Sequence, residues 1–133
     1  MPSTSKQILY IDDDADDREF LRVMLRRKNE EVEMIEAENG FAGLNYLNTA
    51  KSTGALPCLI VLDLNMPVLN GRETFHRLHQ DEVLNKVPVL IFTTSESPAD
   101  KLFFETNGAE LLSKPTDILF YQQAAEKMLQ YCI

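Results

Sequence analysis

Cys58-Leu59-Ile60-Val61-Leu62-Asp63-Leu64-Asn65-Met66-Pro67 is the stretch that decides the fold. Its apolar run reads as a buried strand, and the Asn70-Gly71 pair that follows reads as a turn. Asp63 therefore stands at a strand's carboxyl end. In open α/β sheets that edge is where ligands bind.

Outward from this strand, short apolar runs alternate with longer amphipathic stretches. Strands are predicted at Ile8 to Ile11, Val32 to Ala37, Leu59 to Leu62, Val89 to Phe92 and Glu110 to Leu112. The first helix carries the stripe Phe20, Leu21, Met24, Leu25, with Asp16 and Asp17 suiting the positive end of its dipole. The second carries Phe41, Leu44, Tyr46 and Leu47. Gly71 to Gln80 and Pro98 to Asn107 supply the third and fourth, the latter stopped by Asn107-Gly108. Ile118 to Gln130 is the fifth, with Asp117 as its N-cap. Ala50 to Pro57 reads as a surface connection. Five strand-then-helix repeats imply parallel pairing with right-handed crossovers, so the fold class is α/β, a doubly wound parallel sheet of five strands.

Composition sets limits on function. A chain of 133 residues holds one core, and 44% hydrophobic with 26% charged residues is ordinary globular usage. The net charge of -8 argues against a nucleic-acid surface, which needs a basic patch. No apolar stretch approaches the ~20 residues that span a bilayer. The polar start, Met1 to Gln7, lacks the apolar centre of a signal peptide. Cys58 and Cys132 have no metal-ligand or redox spacing and suggest a reducing cytosol. Cytoplasmic localisation is the expectation.

The chemistry converges on one sheet edge. Asp12 and Asp13 close the first strand, Asp63 the third, Thr93 and Thr94 the fourth, and Lys114 follows the fifth. Carboxylates so close repel one another unless a cation or Lys114 neutralises them. Hard oxygen ligands favour Mg2+, which keeps waters and shares its shell with a phosphate oxygen. An ionised Asp can take a phosphoryl group as an acyl phosphate without a general base. Asp14, Asp16 and Asp17 read instead as a solvated helix start. His76 and His79 lack a third ligand nearby and read as exposed helix residues.

In this order, Ile11-Asp12-Asp13, Leu62-Asp63-Leu64-Asn65-Met66-Pro67 with Gly71, Phe92-Thr93-Thr94-Ser95 and Ser113-Lys114-Pro115 resemble the receiver domain of two-component response regulators. The resemblance implies a flavodoxin-like fold with strand order 2-1-3-4-5, a flexible tail over 1–7 and a receiver over 8–133. It implies that Asp63 is the phosphoacceptor and that Asp13 binds Mg2+ directly, with Asp12 acting through water and Asn65 giving its backbone carbonyl. Thr93 matches the family's switch hydroxyl and Lys114 the lysine that pairs with the acyl phosphate. The Lys114-Pro115 bond is expected to be cis. The partners implied are a histidine kinase or phosphotransfer protein and a downstream protein target, with neither nucleic acid nor membrane. A weaker likeness, in Asn70-Gly71-Arg72-Glu73 and Thr93-Thr94-Ser95, is to stand-alone receivers paired with bacteriophytochromes, which suggests a free-standing bacterial phosphorelay protein and admits a homodimer.

One position departs from the family. Many receivers carry Tyr or Phe three residues before the lysine, where this chain has Leu111. Readout then falls to the Thr94 to Pro98 loop, or to Phe103, Phe104 and Tyr121. In the adjacent pairs Phe103-Phe104 and Phe120-Tyr121, one ring of each must point away from the core. A stray aromatic and a protein-binding face are both open readings of that geometry. Two other functions are weighed beside the switch. A Mg2+-dependent phosphotransferase or phosphatase would resemble haloacid-dehalogenase-type enzymes, but those place Asp-x-Asp after the first strand and need a cap. An adaptor that never sees phosphate would not need the full residue set.

Overall fold

The structure is a computed structural model that describes residues 6–133. Its elements run β1 (Gln7–Ile11), α1 (Ala15–Lys28), β2 (Glu33–Ala37), α2 (Gly40–Thr53), β3 (Leu59–Leu62), α3 (Gly71–Gln80), β4 (Val89–Thr93), α4 (Pro98–Thr106), β5 (Glu110–Ser113) and α5 (Ile118–Leu129). The strands form one parallel sheet in the order β2-β1-β3-β4-β5. The expected order is borne out. Of the tail expected over residues 1–7, positions 1–5 lie outside the described residues, and Gln7 is already the first residue of β1, paired with Glu33.

Alternation along the central strands explains the two faces. Ile8 and Tyr10 of β1, Leu59 and Val61 of β3, and Leu90 and Phe92 of β4 face α1 and α5, where they meet Leu21, Leu25, Ala125 and Met128. Leu9, Ile11, Ile60, Leu62 and Ile91 face the other way, onto Leu47, Phe75, Leu78 and Phe104 of α2, α3 and α4. All four residues of β3 are fully buried, and each such aliphatic side chain contributes roughly 1.5–3 kcal/mol.

Helix α2 departs from its expected face. On α2 the buried positions are Gly40, Gly43, Leu47 and Ala50, whereas Phe41 is 44% exposed. A Cβ at Gly43 would lie 2.4 Å from Ile11 Cδ1, so the glycine lets the helix sit directly on β1 and turns Phe41 outward, under the Arg77 guanidinium. The helix also continues into the stretch expected to be a connection, ending at Thr53 because Gly54 adopts φ +75° as its left-handed cap. On α4 and α5 each aromatic pair splits. Phe104 and Tyr121 are buried, while Phe103 and Phe120 are more than half exposed.

The cysteines require a correction. Cys58, just before β3, and Cys132, in the turn after α5, are joined in a disulfide with Cα atoms 5.3 Å apart. Their separation of 74 residues has no local signature, so spacing alone could not pair them. The two cysteines are thus paired, and their usage gives no argument for a reducing compartment.

Candidate functional site

Asp12 leaves β1 fully buried, and its backbone amide continues the sheet by donating to the Ala37 carbonyl at 3.0 Å. Its carboxylate is held on three sides. Oδ2 accepts the Tyr10 hydroxyl and the Lys114 ammonium, both at 2.6 Å, and Oδ1 accepts the Asp14 amide at 2.9 Å. Arg18 of α1 donates to its carbonyl at 2.7 Å. Asp13 is exposed beside it, and Asp14 turns the chain into α1 as an N-cap, accepting from the amides of Asp16 and Asp17.

Asp63 ends β3 at 5% exposure, its amide donating to the Ile11 carbonyl at 3.1 Å. The Asn65 amide approaches its Oδ1 at 3.4 Å. Gly71 opens α3 directly behind it. A Cβ there would lie 2.2 Å from the Asp63 carbonyl oxygen and 2.6 Å from Leu64 Cα, so only glycine allows this approach. Thr93 ends β4 fully buried, its hydroxyl accepting the Ser95 amide at 3.2 Å and its carbonyl the Lys114 amide at 2.8 Å. Lys114 thus leaves β5 aimed at the acidic edge.

One ammonium answers several carboxylates there. Lys114 Nζ lies 2.6 Å from Asp12, 2.8 Å from Asp17 and 3.4 Å from Asp63. Burial alone would lower its pKa, but hydrogen bonds to Asp12 and Asp17 outweigh that and hold it above the usual lysine value. At Asp63 the balance runs the other way. Burial pushes its carboxyl up and the Asp12 charge adds to this, against the opposing pull of Lys114, the Asn65 amide and the Thr93 hydroxyl. Ionised Asp63 is therefore a charge the site holds at a cost.

Carboxylate oxygens of Asp12, Asp13 and Asp63 all lie within 4.8 Å of one another. A donor set of hard oxygens alone fits Mg2+ or Mn2+ and gives no nitrogen or sulfur for zinc. Five of the expected site residues, Asp12, Asp13, Asp63, Thr93 and Lys114, thus meet at the carboxyl edge, with Asn65 adjoining. Two others escape the sequence reading. Asp17, which reads as solvated, reaches in from the first turn of α1 to Lys114. Tyr10 reads only as part of a strand, although strand alternation puts it on the same side as Asp12, two residues on. The Lys114-Pro115 peptide is trans, against expectation, since no cis bond occurs among the described residues. Trans is the intrinsic preference of X-Pro bonds by about 0.5–1 kcal/mol.

Comparison with known proteins agrees with this geometry. The profile of the response regulator receiver domain matches residues 8–125. Protein PilH of Pseudomonas aeruginosa is 32% identical over 84% of this chain and 87% of its own length. Response regulator Rcp1 of Synechocystis is 31% identical over 71% of this chain and 66% of its own. Among solved structures, the Mn(2+)-bound form of Rcp1 superposes with a TM-score of 0.79 at 25% identity, covering 91% of this chain and 89% of that one. The phosphorylated cyanobacterial phytochrome response regulator RcpA superposes with a TM-score of 0.84 over 97% and 94%, and at 21% identity that likeness speaks for the fold alone. The chain belongs to the response regulator receiver domain family.

Proposed function

We propose that this chain is a phosphorylatable switch in which Asp63 takes a phosphoryl group from a partner histidine kinase or phosphotransfer protein. The observation that carries this reading is the buried Asp63 carboxylate, clustered with Asp12 and Asp13 and reached by Lys114. An Asp63 oxygen attacks the phosphorus of a phosphohistidine. The new O–P bond forms as the N–P bond breaks, and the leaving imidazole nitrogen takes a proton from solvent. Asp12, Asp13 and Asp63, with the Asn65 backbone carbonyl, would hold Mg2+, which when bound offsets the charge of the phosphoryl oxygens. The Mn(2+)-bound structure of Rcp1 supports a divalent ion at this site.

The remaining roles belong to the chain's own groups. Lys114 leaves Asp12 and Asp17 to pair with the acyl phosphate, and the Thr93 hydroxyl moves toward the phosphoryl group. The Ser95 amide, now bonded to that hydroxyl, follows it and shifts the loop before α4. Leu102 and Phe103 on α4 and Ile118, Leu119 and Phe120 on α5 are exposed apolar residues that suit a downstream protein target. Signalling, not turnover of an external substrate, is the function. The cytoplasm, where kinases are charged from ATP, is the compartment this role requires, and no helix among the described residues is long and apolar enough to cross a membrane.

The test is incubation with acetyl phosphate and Mg2+, followed by intact mass measurement. The parent gains a phosphoryl mass, Asp63→Ala does not, and Asp16→Ala, altered at an exposed neighbour, still does. An unchanged parent mass would leave an adaptor, and steady hydrolysis of an added phosphoester would indicate an enzyme.

A further inference from the structure

Tyr10 is the one hydroxyl on a strand otherwise built from Gln7, Ile8, Leu9 and Ile11, and its ring is fully buried between the sheet and α1 and α5. A buried phenol needs a partner, and this one donates to Asp12 Oδ2 at 2.6 Å.

The acceptor inventory of Asp12 gives that bond a purpose. An ionised carboxylate offers about four lone-pair sites. Tyr10 and Lys114 occupy Oδ2, and the Asp14 amide takes one position on Oδ1. The free position on Oδ1 is therefore the one left for a cation or its water, on a carboxylate that cannot turn without breaking the Tyr10 bond. Lys114 cannot perform this locking, since in the proposed switch it departs toward the phosphoryl group. Tyr10 is anchored by its ring and stays.

We infer that Tyr10 is a positioning residue for the divalent-cation site, fixing the Asp12 carboxylate so that the free position on Oδ1 is held for the cation or its water before any ion arrives. This rests on the cation reading above. Hydrogen-bond partners of metal-binding carboxylates typically govern affinity by about 10–100-fold.

The experiment is calorimetric titration of the unphosphorylated chain with Mg2+, for the parent, Tyr10→Phe and Tyr121→Phe. Tyr121 is the control, because its buried hydroxyl has no hydrogen-bond partner among the described residues although its ring packs in the same aromatic cluster. Tyr10→Phe is expected to bind Mg2+ about 10-fold more weakly, and Tyr121→Phe like the parent. Labelling by acetyl phosphate then needs proportionately more Mg2+ for half-maximal rate in Tyr10→Phe, with the rate at saturating Mg2+ retained. Affinity in Tyr10→Phe within about twofold of the parent, or tighter, overturns the inference. Should Tyr10→Phe not fold, proton NMR of the parent decides. A downfield, slowly exchanging Tyr10 hydroxyl that persists in Mg2+ supports the role, and its loss on adding Mg2+ overturns it. A parent that binds no Mg2+ defeats the cation reading itself, a result distinct from equal binding by parent and variant.

Discussion

The Lys114 ammonium lies 2.6 Å from Asp12 and 3.4 Å from Asp63, so in this state it is the partner of the cation-site carboxylate more than of the phosphoacceptor. Both Asp12 and the Lys114 side chain are nearly excluded from solvent. Removing the ammonium leaves a buried charge unpaired, at a cost of about 3 kcal/mol or more. Lys114→Met should therefore lose that much stability in EDTA and regain much of it in Mg2+, which replaces the missing positive charge. Urea unfolding in both buffers checks this; an equal loss in each would refute it.

Asp63 sets a pH dependence of the opposite sense to that of an ordinary surface carboxylate. Its pKa is raised by burial, so the folded chain holds a proton where the unfolded chain has already released it. Stability then falls as pH rises from the ordinary aspartate value through the raised one. Asp63→Asn removes this slope. Without divalent cations the variant should be more stable than the parent at pH 7, with the difference shrinking to nothing below about pH 4. Melting curves across that range measure it, and a constant difference would count against it.

Gly71 acts on the same carboxylate from behind. A methyl group there would stand 2.2 Å from the Asp63 carbonyl oxygen, so Gly71→Ala must push either α3 or the end of β3. Overpacking of this kind costs about 1–3 kcal/mol. Displacing a reacting group by even 1 Å can slow it about 100-fold. The expected outcome is a folded variant whose labelling by acetyl phosphate is slowed at least about 10-fold at saturating Mg2+. A wild-type rate would mean that the helix absorbs the methyl group.

A different pair ties the loop after β4 to its neighbouring helices. Arg72 at the start of α3 donates from two nitrogens to Asp100 of α4, at 3.2 and 2.5 Å, and Ser95 donates to the same carboxylate at 3.2 Å. The loop that begins at the Thr93 hydroxyl is thereby tied to both helices. Because the ion pair is partly exposed, Asp100→Ala should cost less than about 1 kcal/mol. It should nevertheless speed amide hydrogen exchange at Ser95 and Ser97. Unchanged exchange would place the restraint elsewhere.

Most of the fold and site is legible in sequence because periodicity and strand ends carry it. The uninterrupted Leu59–Leu62 run demands burial on both faces, and Asp63 can then stand only at the sheet edge. Lys114 is found because it directly follows the fifth strand, and Gly71 by its turn pairing with Asn70 and its place in the motif after Asp63. Phe41 is placed wrongly because the glycines at 40 and 43, not the large side chains, decide which face of α2 meets the sheet. Asp17 is lost for a related reason. A carboxylate in the first turn of a helix suits the dipole wherever it points, so its composition gives no hint that α1 aims it at Lys114. Leu111 packs in the core beside Phe104, and the readout aromatic absent at that position is not replaced by one on the same strand.

The Cys58–Cys132 bond is the contact furthest from anything the sequence pattern encodes, and it makes a prediction of its own. It ties the turn after α5 to the amino end of β3, the strand that delivers Asp63 at its other end. A bond between residues 74 apart restricts the unfolded chain, and loop-closure entropy values that at about 4 kcal/mol. Strain and residual structure usually reduce the gain, so about 2–4 kcal/mol is expected. Reduction by dithiothreitol, or Cys132→Ser, should lower unfolding stability by that amount. Phosphoryl labelling should be unaffected, because the bond lies at the opposite end of the sheet from Asp12, Asp63 and Lys114. Intact mass before and after reduction first establishes the oxidised state by the gain of two hydrogens. Denaturation of the two forms then gives the difference, and superimposable curves would show that packing of α5 on the sheet, through Ala125 and Met128, holds the terminus without help from the bond.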